Sequence, residues 1–335
     1  MFKFSQDVRE RLWTFFQKLN QCSDHDWWFD HFASGCAPMA TERGFNKGLK
    51  SIEHFLSEMR VDLKGARILD AGCGAGWLGI MCAMAGASEV HEVDVWKESL
   101  AFARGSLELL DEKLPIYIHE RDAASLGFED ASFDIVFCRE AISHFFDPDG
   151  FMVEAARVLK PGGQFFISDG NNGSNSKVRN KTKQLWDRFE NGPMPDEALE
   201  GDKPMVLRRK DIILDRFPDI ADSDADMLAR NTFGMNADKV AEAVKKYLAD
   251  GTKPTASCLC GECPVDPYTG MYLERLFVPK ELAAQIEGLG MKARVYAYFS
   301  HGRHPALAAV SRVLAKFTPL TIYAAPTFEI FAVKR

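Results

Sequence analysis

Residues 68–77, ILDAGCGAGW, constrain this chain more than any other segment. An apolar run ends at Asp70, Gly72, Gly74 and Gly76 follow at alternate positions, and an apolar, helix-length segment comes next. Glycines at a strand-to-helix turn accept positive φ angles and let a ligand approach the backbone without meeting a Cβ. The segment therefore predicts a nucleotide-like cofactor. Its spacing argues against a dinucleotide, because GxGxxG needs a third glycine at position 77, where Trp77 stands. Asp70, two positions before the first glycine, repels a pyrophosphate but suits an ammonium group or the loop's own amides.

The surrounding pattern predicts the architecture. From residue 66, ARILDA, EVHEVD, PIYIHE, FDIVFC and GQFFISD alternate with helix-length segments, the signature of a parallel sheet covered by helices on both faces. Residues 1–60 read as helical, with Val8, Leu12, Phe15, Phe16 and Leu19, then Leu49, Ile52, Phe55, Leu56 and Met59, at helical spacing. Between these stripes a loop-like stretch carries Trp27, Trp28, Phe29 and Phe32. Residues 171–278 break the rhythm, although one helix is clearly marked: Asn236 caps it, Val240, Val244, Tyr247 and Leu248 share a face, and Gly251 ends it. Pro279 then opens a helix with Leu282, Ile286 and Leu289 inside, followed by the strand ARVYAYF, a helical segment at 305–316 and a last strand FEIFAV. The expected fold class is α/β: a Rossmann-like, doubly wound, mostly parallel seven-stranded sheet. Residues 1–60 form a helical lid segment, 61–170 and 279–335 the sheet domain, and 171–278 a large insertion between strands 5 and 6 for substrate recognition.

DAGCGAG, HEVDVW, ERDAASLGFED, DIVFCREAISHF and VLKPGGQFFISD occur in this order. As an ordered set they resemble the motifs of class I S-adenosylmethionine-dependent methyltransferases, over residues 66–170 and 279–335. The resemblance implies S-adenosyl-L-methionine as cofactor, held by Asp70, Gly72, Cys73, Gly74, Gly76 and Trp77 of the first motif and by Asp94, a strong acceptor for the ribose diol. Val95 and Trp96 are placed to pack on the adenine, Asp122 and Ala123 match an adenine-contacting segment, and Arg139, at the end of the fourth strand, is a further expected cofactor-binding residue. His144, in the loop after that strand, falls where the family places residues facing the methyl group; a neutral imidazole there accepts a hydroxyl proton, or simply bonds backbone. Arg43 is a candidate for the methionine carboxylate. The implied reaction is O-methylation of a small molecule. A glycan- or lipid-linked acceptor, or a non-catalytic S-adenosylmethionine-binding module, are the alternatives.

Composition removes other classes. Lys and Arg number 41 against 48 Asp and Glu, a net charge of −7, which disfavours a broad nucleic-acid surface. CREAISHF also lacks the Asn-Pro-Pro-Tyr-type element of adenine methylation. Eight sparse cysteines and the absence of a secretory signal predict a reduced, cytoplasmic setting. LTIYAAPTFEIFAV is broken by Pro326 and Glu329 and is too short to span a bilayer. Cys258, Cys260 and Cys263 lack a fourth ligand, so no metal is expected. Lys177, Arg179, Lys181 and Lys183, ahead of Trp186, suit either an anionic group or a solvated helix start.

Overall fold

The alternation after residue 66 becomes seven strands: β1 (Arg67–Ala71), β2 (Glu89–Asp94), β3 (Ile116–Glu120), β4 (Phe133–Arg139), β5 (Leu159–Asp169), β6 (Met291–Tyr298) and β7 (Thr327–Lys334). They form one sheet in the order β3-β2-β1-β4-β5-β7-β6. The first five run parallel, while β7 lies antiparallel to both β5 and β6. This is a computed structural model, and it describes residues 2–196, 198, 201–256, 262–299, 310, 313–314 and 317–335. The chain divides into two compact units, residues 1–142, 147–170 and 279–335 in the first, 143–146 and 171–278 in the second.

In the first unit, helices α1 (Gln6–Leu19), α2 (Asp30–Met39) and α3 (Glu42–Met59) precede the sheet; α4 (Trp77–Met84) links β1 to β2, α5 (Lys97–Leu107) links β2 to β3, and α6 (Pro148–Val158) links β4 to β5. The predicted stripes of α1 and α3 are buried. Phe55 of α3 stacks on Phe166 of β5, with ring centroids 4.6 Å apart and planes within 8°, and meets Phe137 of β4 edge-on. The N-terminal helices thus share the sheet's own hydrophobic core, and removing so many aromatic rings from water is a large favourable term. The stretch read as a loop contains the start of α2. Its sequence DHFASGCAPM lacks a regular apolar stripe, which is why periodicity misses it; Phe29 and Phe32 pack on Trp96, and Trp28 and Phe32 on Phe102.

The second unit carries α7 (Ser176–Asn191), α8 (Met205–Arg216), α9 (Asp222–Asn231) and α10 (Ala237–Asp250). Ile213, Leu228, Val240 and Val244 share a small core among α8, α9 and α10. Asn236 caps α10 by accepting from the Lys239 amide, and Gly251 ends it in the left-handed conformation. Leu248, expected on the buried face, is exposed, because the stripe runs through Val240, Val244 and Tyr247 and leaves position 248 at its edge. Asn175 caps α7 over Lys177 and Val178, Lys177, Lys181 and Lys183 are solvated, and Trp186 is buried with its Nε1 donating to the Glu274 carbonyl at 2.9 Å. The fully buried guanidinium of Arg209 is held by the Glu190 carboxylate and by the Ala229 carbonyl.

The first helix of the sheet unit's C-terminal part, α11 (Pro279–Gly288), leads into β6 as expected. Most of the helical segment expected at 305–316, and Cys258 and Cys260, lie outside the described residues. Among the described residues no metal-binding cluster is found, and no helix is long and apolar enough to cross a membrane.

Candidate functional site

Strands β1, β2, β4 and β5 end at one edge of the sheet, where parallel α/β sheets bind ligands. The glycine loop leaves β1 there. Gly72, Gly74 and Gly76 have φ of +72°, +54° and +72°, conformations in which a Cβ is strained. The Gly72 and Cys73 amides donate to the Val93 carbonyl at 2.8 and 3.2 Å, stitching the loop to β2, and Gly76 opens α4. Burial, together with nearby carboxylates, holds the Cys73 thiol well above the usual thiol range, so it is a neutral side chain in this loop.

Asp94, the last residue of β2, spans the loop's open edge. Its Oδ2 accepts from the Gly74 amide at 3.0 Å and its Oδ1 from the Trp96 amide at 3.0 Å. Val95 beside it is exposed, and Trp96 is half-buried under Phe29, His31 and Phe32 of the N-terminal segment. The phenyl ring of Phe32 comes within contact distance of where a Cβ on Gly74 would lie. A backbone cradle, a carboxylate and an aromatic surface thus adjoin one another, donor and acceptor groups of the kind an adenosine can use.

Beneath the loop lies a carboxyl pair that the sequence did not reveal. Asp70 pairs in register with Glu92, so both side chains leave the same face, and both are almost fully buried. Burial pushes Asp70 up to about 7, Arg139 opposing and Asp94 adding to the shift; burial and then Asp70 push Glu92 well above the carboxylate range. Glu92 fills the space under the loop, since a Cβ on Gly76 or Gly79 would fall 2.6 or 2.0 Å from its oxygens. Its Oε1 has no hydrogen-bond partner among the described residues. A glutamate between His91 and Val93, in a strand buried on both faces, is the one signal that could have marked it.

A second polar row crosses the same edge. Arg139, Ser168, Glu329 and Tyr296 stand opposite one another across β4, β5, β7 and β6. Glu140, at φ +52°, accepts from Ser168 Oγ at 3.2 Å and from the Gly170 amide at 3.1 Å. Glu329 is buried, and that burial pushes its carboxyl up to about 8, against the attraction of Arg139 and with added repulsion from Glu58 and Glu140. The folded chain therefore keeps this proton over a window, from about 4.5 to about 8, in which the unfolded chain has released it. Folding stability should fall as pH rises through that window, by an amount on the order of a few kcal/mol. Glu329→Gln should flatten this decline in denaturant titrations between pH 5 and 9; an unchanged pH slope would show that Glu329 titrates normally.

The remaining predicted residues are placed as follows. Asp122 is exposed and accepts from the Ala124 amide at 2.8 Å, beside buried Ala123. Trp77 turns its indole against Phe16, Phe102 and Gly35, a core position that ties the N-terminal helices to the loop. Arg43 is exposed on α3. His144 belongs to the second unit, where its Nδ1 lies 3.2 Å from the Tyr272 carbonyl. A carbonyl only accepts, so Nδ1 carries the hydrogen and Nε2 is the basic nitrogen.

Part of the chain is similar to known proteins. Residues 69–167 match the family model described as a methyltransferase domain. The chain is 39% identical over 110 residues to a ubiquinone biosynthesis O-methyltransferase of Xanthomonas oryzae pv. oryzae, covering 32% of this chain and 45% of that one. It is 35% identical over 123 residues to a protein of the same name from Aromatoleum aromaticum, covering 34% and 51%. The chain thus spans about half the length of the curated relatives it matches. A solved S-adenosylmethionine-dependent methyltransferase from Mesorhizobium loti is similar over 84% of this chain and 96% of its own, at 17% identity and a TM-score of 0.45. Residues 69–167 of the sheet unit are thus a methyltransferase domain.

Proposed function

We propose that this chain transfers a methyl group from S-adenosyl-L-methionine to a hydroxyl of a small-molecule acceptor. The observation that carries the reading is the Asp94 carboxylate fixed across the Gly74 and Trp96 amides at the mouth of a loop of left-handed glycines. In this reading Asp70, Gly72, Cys73, Gly74, Gly76 and Trp77 form and support the cradle. Asp94 takes the ribose hydroxyls, Val95, Trp96, Asp122 and Ala123 border the adenine, and Arg139 balances the charge of Asp70. The cofactor supplies a methyl group already activated by its sulfonium, so the chain's main tasks are to align the acceptor and exclude water. His144, with Nε2 as its basic nitrogen, takes the proton of the acceptor hydroxyl.

Oxygen is favoured as the accepting atom because the curated relatives are named O-methyltransferases. The acceptor is selected by the second unit, which lies outside the segment matching the family model. The test is formation of S-adenosylhomocysteine from S-adenosylmethionine across a panel of small hydroxylated compounds. Release that depends on one acceptor class supports the reading, and His144→Ala should then lower its rate by about 100-fold. Saturable cofactor binding without turnover on any compound would replace it with a non-catalytic binding module.

A further inference from the structure

We infer that the acceptor carries a carboxylate on an aromatic ring, and that Arg275, beside His144, binds that carboxylate. The inference rests on the methyl-transfer reading above and names its substrate class. The residues that carry it all belong to the second unit. The Arg275 amide donates to the Ser143 carbonyl at 2.9 Å and its Nη2 to the Phe146 carbonyl at 2.9 Å, which fastens Arg275 to the short segment holding His144. The Tyr272 carbonyl that orients His144 belongs to the same stretch as Arg275. The guanidinium carbon of Arg275 lies 3.5 Å from the centroid of the Tyr272 ring. That is the spacing of stacked planar groups, and stacking leaves the N–H edge of the guanidinium directed past the ring. Phe146 is 57% exposed, and its ring stands 6.4 Å from that of Tyr272 with 38° between the planes.

Charge and shape select the ligand. Lys239 adds a second cation, 6.0 Å from the centroid of the Phe146 ring. Asp238, its neighbour in sequence, is paired with Arg216, and Asp266 with Arg208. Among the described residues neither Arg275 nor Lys239 has an ion-pair partner. A half-buried guanidinium without a carboxylate of its own is ready to take one from a ligand, because charge-assisted hydrogen bonds are the strong ones and the planar fork matches two coplanar oxygens. The exposed phenyl ring of Phe146 offers flat apolar surface beside it, on which a ligand ring stacks. A single fork suits a monoanion; the doubly charged phosphate of an ester would meet one guanidinium and a lysine on the far side of a phenyl ring.

Calorimetry on the full chain, with excess S-adenosylhomocysteine present, tests this with protocatechuate, a catechol bearing one carboxylate, and with its uncharged carboxamide. The acid should bind about 20-fold more tightly than the carboxamide. Arg275→Met should bring that preference close to unity, and Arg275→Lys, which keeps the charge but not the fork, should leave it at about fivefold. The preference of the parent chain and the Arg275→Lys variant decide the matter if Arg275→Met does not fold. Equal affinity for acid and carboxamide, binding of neither, or a preference that survives Arg275→Met overturns the inference and leaves Arg275 as a fastener of the His144 segment. Phenyl phosphate bound more tightly than protocatechuate also overturns it, since the fork would then belong to a phosphate ester. The two readings fail separately. Transfer to uncharged phenols without a preference for the acid removes only the carboxylate site, whereas an Arg275-dependent preference with no S-adenosylhomocysteine formed from any compound removes the methyl-transfer reading.

Discussion

Asp94→Ala should weaken S-adenosylhomocysteine binding by about 100-fold or more, read by calorimetry. The side chain does two jobs at once in the cofactor reading: it accepts the Gly74 and Trp96 amides at 3.0 Å each, and it offers a charged acceptor to the ribose diol. Hydrogen bonds to a charged group are worth about 1.5–3 kcal/mol each, and losing even one while loosening the glycine loop reaches that factor. Asp94→Asn keeps one acceptor oxygen and should lose less. Because the loop is held also through the Gly72 and Cys73 amides on the Val93 carbonyl, the variant should still fold, and its melting temperature separates lost binding from lost structure. Unaltered affinity in Asp94→Ala would remove Asp94 from the site.

The largest stability effect is expected in the second unit. Arg209 is wholly buried, and its guanidinium depends on Glu190, itself 2% exposed. Glu190→Ala strands that charge in the interior, which costs about 3–5 kcal/mol. The second unit should unfold at markedly lower denaturant concentration. Replacing both partners, Glu190→Leu with Arg209→Met, should recover most of the loss, because a buried ion pair is itself costly to desolvate. Cofactor affinity should stay near that of the parent, as the proposed cradle lies in the first unit. A single variant as stable as the parent would mean that Arg209 finds another acceptor or reaches water.

These two residues also mark how far the sequence could be read. Asp94 was legible because it closes a strand that follows a glycine loop, a local pattern of fixed order. Glu190 and Arg209 were not, because they are 19 residues apart on different helices and nothing local distinguishes them from solvated charges. The same holds at the sheet edge. The strands of residues 66–170 are visible as short β-rich runs, but the rows Asp70–Glu92 and Arg139–Ser168–Glu329 arise only when strands pair in register, with β7 inserted between β5 and β6. Glu329 therefore reads in sequence as an interruption of an apolar segment, whereas in the fold it is a buried acid. Helix α2 was missed for the opposite reason: its rings His31 and Phe32 pack on Trp96 and Phe102, which are distant in sequence, rather than along a stripe of its own. His144 was placed by its distance from the fourth strand, and the fold assigns it to the second unit with its tautomer set by the Tyr272 carbonyl.

The central claim is that the glycine loop and Asp94 hold an adenosyl cofactor. Calorimetric titration of S-adenosylhomocysteine into the full chain, with NADH titrated in parallel, tests it most directly. Saturable one-to-one binding of S-adenosylhomocysteine, with no heat from NADH, is the predicted result. Binding of NADH alone, or of neither compound, would contradict it.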